Sequence, residues 1–125
     1  LGAGRPGFEG PQGNLRQMTT HDVLYRLSET LASRRNADPK TSYTAKLFAG
    51  GPDSILKKIG EESAELIMAA KDAKPQNIVC ESADVVYHVL ALLAFYGLSI
   101  EDVAQELQRR EGVSGIDEKN SRTAK

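Results

Sequence analysis

The sequence predicts an all-α protein, a small bundle of four to five helices. Three observations carry this expectation. Apolar residues recur at spacings of three and four in every patterned segment, the period of a helix face. These segments begin and end at capping residues, prolines and glycines, where helices start and stop. No stretch alternates apolar and polar residues at period two between hairpin turns, so no sheet is expected. The chain has 125 residues, 40% hydrophobic and 26% charged, with a formal net charge of −1. That is the balance of one globular domain, and it excludes a disordered chain and a disulfide scaffold. The near-neutral charge offers no basic footprint for nucleic acid and no polybasic membrane surface.

Residues 1–17 carry five of the 11 glycines and two of the five prolines, without any apolar period. They read as a disordered leader ahead of a native start at Met18, so that residues 18–111 form the domain and 112–125 a flexible tail. Thr20 is the expected cap of a first helix with Val23, Leu24, Leu27 and Leu31 on its apolar face. A short helix starts at Ser42, runs through Tyr43, Leu47 and Phe48, and ends at Gly50-Gly51. Pro52 suits the first turn of the next helix, whose stripe is Ile55, Leu56, Ile59, Leu66, Ile67 and Ala70, and Lys74-Pro75 stops it. Asn77 is the expected cap of a helix that is apolar on nearly all sides from Val79 to Tyr96, with Gly97 closing it. A helix so apolar lies at the centre of a bundle or is shared between subunits, so a homodimer is expected. Its longest apolar run, Val85 to Tyr96, is broken by His88 and is too short to cross a bilayer. Ser99 and Asp102 resemble a capping box for a last helix reaching about Arg110. The lone cysteine, Cys80, reads as a small core residue and fits a reducing, cytoplasmic setting.

Two groups of acids do not fit a packing pattern. Glu61, Glu62 and Glu65 share one helix, and at about 100° per residue Glu62 falls only about 20° from Ile55, at the edge of the apolar stripe. Asn77, Glu81, Asp84 and His88, spaced four, three and four apart, draw a polar stripe along the most apolar helix. Neighbouring acids one turn apart oppose helix stability, and buried unpaired carboxylates cost several kcal/mol each. A short link makes the two helices antiparallel, so the acidic patches can face each other around a divalent cation. All-oxygen ligation suits Mg²⁺ or Mn²⁺. Taken singly, each patch is as well read as a solvated or salt-bridged face. A carboxylate-bridged di-iron site wants Glu-x-x-His on two helices, and here His88 has the wrong offset. The spacing of His88 from Asp84 points instead to a hydrogen bond with that carboxylate.

Glu61-Glu62-Ser63-Ala64-Glu65 followed by Glu81-Ser82-Ala83-Asp84 resembles the EExxE…ExxD signature of the all-α, MazG-like nucleotide pyrophosphohydrolases. Within that superfamily the chain resembles the phosphoribosyl-ATP pyrophosphatases of histidine biosynthesis from about His21 to Arg122. The segments that carry this are 42–48 (SYTAKLF), 55–62 (ILKKIGEE), 83–88 (ADVVYH) and 109–119 (RREGVSGIDEK). The resemblance implies Mg²⁺-dependent hydrolysis of phosphoribosyl-ATP to phosphoribosyl-AMP and pyrophosphate. It implies metal ligation by Glu62, Glu65, Glu81 and Asp84, with Glu61 a further ligand or a base for the attacking water. Substrate phosphates need basic partners. Lys58 is the first choice, Lys57 and Lys71 lie further round the helix, and Arg109, Arg110, Lys119 and Arg122 could close over the substrate with the tail. Tyr43 and Phe48 could stack on adenine or lie in the core. The rivals are a house-cleaning (d)NTP diphosphatase with the same metal site, and a helical dimerisation module with none.

Overall fold

The computed structural model describes residues 18–123, and these form six helices: α1 (Thr20–Ser33), α2 (Tyr43–Ala49), α3 (Pro52–Lys71), α4 (Pro75–Phe95), α5 (Ile100–Arg109) and α6 (Gly115–Thr123). Among the described residues there is no strand, and the fold is the all-α bundle the sequence predicts. The leader expected over 1–17 lies outside the described residues, as do the last two residues of the tail.

The helix ends show how local chemistry sets the elements. Thr19, not Thr20, caps α1: its hydroxyl accepts from the Asp22 amide at 3.0 Å while Asp22 accepts from the Thr19 amide at 3.4 Å. Thr19 is the threonine that stands three residues before an acid, so only it can close a capping box. Ser42 caps α2, and Ser99 with Asp102 forms the capping box of α5. Helix α4 starts at Pro75, two residues before Asn77. Proline at the first helical position lacks an N–H that would have gone unpaired there, and it holds Lys74 in extended backbone. Gly97 (φ 75°) ends α4 in a Schellman turn, with Leu98 N–H on the Leu93 carbonyl and Gly97 N–H on that of Ala94.

Helices α3 and α4, joined by three residues, form an antiparallel hairpin that is the main packing unit. Ala73 makes the tight reversal at φ 55°. Helix α1 packs on α4 and α5, and α2 packs on α3. The core is Leu31, Leu47, Phe48, Ile55, Leu90 and Ala91, with Phe48 stacked on Phe95. Phe48 is therefore a packing residue and not a surface for adenine.

Three expectations are corrected. The tail expected to be loose forms α6. That helix docks on α5 through Glu118, which is buried and accepts from Arg109, with Arg122 at 3.3 Å and Arg110 at 3.9 Å. Cys80 is exposed, on the solvent side of α4. Val79 and Val86 on α4 are exposed in the single chain, Val86 at 41%. Counted as one 21-residue helix with mean hydropathy 1.7 in its most apolar window, α4 has the length and composition of a membrane span, which the run from Val85 alone does not.

Candidate metal centre and active site

The α3–α4 hairpin brings the two acidic patches together. Glu62 lies nine residues before the end of α3 and Asp84 nine after the start of α4, so an antiparallel pair sets them at the same height. One carboxylate oxygen from each of Glu62, Glu81 and Asp84 lies within 4.8 Å of the others. Glu62 is only 8% exposed, Glu81 is half-buried and Asp84 faces solvent at the mouth.

The cluster is under electrostatic tension. Glu62 Oε1 and Glu81 Oε1 are both buried with no hydrogen-bond partner. A buried carboxylate oxygen without a donor is costly, and a cation or a shared proton relieves two of them facing a third acid. Burial pushes the Glu81 carboxyl above the usual range. The Glu65 carboxylate, close enough for a carboxyl–carboxyl hydrogen bond, pushes it the same way, as do Asp84 and Glu62. Glu65 thus stands beside Glu81, next to the trio and not within it. Glu61 stands outside the trio, with its carboxylate 3.8 Å from Lys58 Nζ. These oxygens fit a hard divalent ion: they are anionic, convergent and partly stripped of water.

One cation reaches the cluster. Lys58 Nζ is 3.6 Å from Glu62 Oε2, while Glu62 Oε1 has no hydrogen-bond partner. The Tyr43 phenol and then the carboxylates of Glu62 and Glu61 hold the Lys58 ammonium above its ordinary pKa. At neutral pH the phenol is protonated, so the carboxylates carry that effect. Burial pushes the Tyr43 hydroxyl up, against the pull of Lys58.

A second layer escapes sequence reasoning. His88 Nδ1 is 2.9 Å from the Asp84 backbone carbonyl, which can only accept, so that nitrogen carries the proton. In the Nδ1–H tautomer, Nε2 accepts from the Tyr43 hydroxyl at 2.9 Å. His88 therefore bonds the Asp84 backbone, not its carboxylate as expected. Beside it, Tyr87 bonds Thr44. Adjacent residues of α4 thus pin adjacent residues of α2 against the site. The available signal was that Tyr43-Thr44 and Tyr87-His88 are both pairs of adjacent residues with hydrogen-bonding side chains on helices that pack in the core.

The remaining candidate cations divide. Lys57 lines a groove with Lys58 between α2 and α3. Arg110 and Arg122 are gathered on Glu118, and Arg109 and Arg110 also on Glu106, at the α5–α6 corner. Lys119 is exposed on α6.

The hairpin carries EExxE on one arm and ExxD on the other, with Glu62, Glu81 and Asp84 converging, the arrangement that the resemblance to the all-α nucleotide pyrophosphohydrolases implies. The comparisons narrow it. The model of the phosphoribosyl-ATP pyrophosphohydrolase family matches residues 24–111. A protein of Dechloromonas aromatica (strain RCB) named phosphoribosyl-ATP pyrophosphatase is 79% identical over 108 residues, covering 86% of this chain and all of that protein. One of the same name from Bordetella avium (strain 197N) is 57% identical over 106 residues, covering 82% of this chain and 91% of that protein. The chain belongs to the phosphoribosyl-ATP pyrophosphohydrolase family, and it is an enzyme of the hydrolase class.

Proposed function

We propose that this enzyme hydrolyses phosphoribosyl-ATP to phosphoribosyl-AMP and pyrophosphate, the second step of histidine biosynthesis, with Mg²⁺ held by Glu62, Glu65, Glu81 and Asp84. Two relatives bearing the pyrophosphatase name support the substrate. The observation that carries the chemistry is the pair of buried, unpartnered oxygens on Glu62 and Glu81, facing Asp84. Mn²⁺ satisfies the same donors. A divalent ion bound there supplies charge neutralisation on the phosphates and acidifies a water for attack.

The chain's own groups do the rest. Lys58 holds one Glu62 oxygen and presents its ammonium to the phosphate charge that grows as pyrophosphate leaves. Glu61, exposed and paired only to Lys58, is the acid free to take a proton from water or to serve as a further ligand. Lys57 adds positive charge in the adjoining groove. Glu118 holds Arg110 and Arg122 in the free enzyme, and substrate phosphate competes with it for them, with Lys119 on the same helix. Nucleotide binding of this kind needs no membrane and no nucleic acid.

We further read the molecule as a cytoplasmic homodimer. Leu56, Ile67 and Met68 on α3 and Val79 and Val86 on α4 are exposed in one chain. A second copy covers such a face, and α4 is then an interface helix and not a span. The test of function is pyrophosphate release from phosphoribosyl-ATP against dUTP, dCTP and ATP. Preference for a deoxynucleotide would make the chain a house-cleaning diphosphatase with the same metal site.

A further inference from the structure

Beside the carboxylates runs a groove of about 560 Å³ between α2 and the first half of α3. Its walls carry Lys46, Lys57 and Lys58, with Tyr43, Ser54 and Glu61. Three ammonium groups face one carboxylate there. Lys58 and Glu61 are engaged with each other, whereas Lys46 and Lys57 make no ion pair with any described residue. Two unpaired lysines from different helices on one concave surface form an anion site. Tyr43 makes one wall rigid, because its hydroxyl is tied to His88. Gly50 sets the floor: a Cβ there would lie 2.1 Å from Ser54 Oγ and drive that hydroxyl out of its place.

Lys58 belongs to both the groove and the acid cluster. An anion in the groove is therefore continuous with a phosphate at the carboxylates. Resting on the function proposed above, we propose that this groove binds the pyrophosphoryl end of the substrate, with Lys46 and Lys57 as its anion ligands. The charge favours that end. The terminal two phosphates carry more negative charge than the phosphate left on the nucleotide, and the three lysines of the groove match that charge.

The full-length chain and its Lys46→Gln and Lys57→Gln variants should be titrated with inorganic pyrophosphate in Mg²⁺ buffer, and with phosphoribosyl-AMP. Both lysines are exposed, so the thermal midpoint serves as a control that should not move. Each variant should lose about tenfold or more in pyrophosphate affinity, the scale of one charged hydrogen bond. Its KM for phosphoribosyl-ATP should rise, and its affinity for phosphoribosyl-AMP should stay. Lys46→Arg, which keeps the charge, should retain most of the binding. Unchanged pyrophosphate affinity overturns the proposal, and so does a loss that falls on phosphoribosyl-AMP. If the unmodified chain binds pyrophosphate through Lys46 yet leaves phosphoribosyl-ATP intact, the groove stands and the assigned substrate falls.

Discussion

Glu65 separates a functional acid from a structural one. It stands against Glu81, whose pKa is raised first by burial and then by the neighbouring Glu65 carboxylate. Glu65→Gln keeps the shape and removes one charge. Without metal the variant should be as stable as the parent or more so, while turnover falls by orders of magnitude. Paired denaturant melts and hydrolysis rates read both changes. Loss of about 1 kcal/mol or more of stability with hydrolysis intact would make Glu65 a salt-bridge residue. The acids were legible in the sequence because helical spacing alone puts Glu62 at the edge of an apolar stripe and Glu81 and Asp84 inside one. His88 was not legible in the same way. Its offset of four from Asp84 suits the side chain and the backbone carbonyl of Asp84 equally. Only the position of Tyr43, brought in from α2, decides for the carbonyl.

At the scale of the helix, the ends followed from sequence at Ser42 and Ser99, whereas α1 is capped by Thr19 and not by the expected Thr20. Helix α6 could not be read this way. It is short and polar, and its partners are arginines on α5 and one turn along its own length. Those partners make its docking sensitive to pH. Hydrogen bonds from Arg109 and Arg110 lower Glu106 to about 2, and the hydrogen bond from Arg109 is the first cause that holds Glu118 below its ordinary 4.5. A carboxylate lowered on folding stabilises above its unfolded pKa and loses that contribution as pH falls through the folded one. Docking of α6 should thus be complete above about pH 4.5 and fade as the pH drops below it, through the lowered pKa of Glu118. Hydrogen exchange of the α6 amides across that range measures it. Protection that is equal at both ends would show that the glutamates do not hold the helix.

For the whole molecule, the bundle and its hairpin were readable from apolar period and link length, since a link of three residues leaves the helices no choice but to pack antiparallel. Which face of α3 meets another subunit was not readable. Ile55 and Ile67 share one stripe in the sequence, yet Ile55 is fully buried and Ile67 is 63% exposed. That division comes from where α1, α2 and α4 happen to sit. Ile67→Glu, a change on the exposed side, should leave the helical signal of the chain in place and convert a dimer to a monomer in analytical ultracentrifugation. A parent chain that sediments as a monomer at micromolar concentration would contradict the interface.

Whether the facing carboxylates of α3 and α4 make this chain a metal-dependent pyrophosphohydrolase can be settled by one assay. Pyrophosphate release from phosphoribosyl-ATP should be followed with Mg²⁺, with excess chelator, and in Glu81→Gln with Mg²⁺. We expect rapid release only in the first case, and equimolar phosphoribosyl-AMP with it. Release that persists in chelator, or that survives Glu81→Gln at the parent rate, would contradict the assignment of the site.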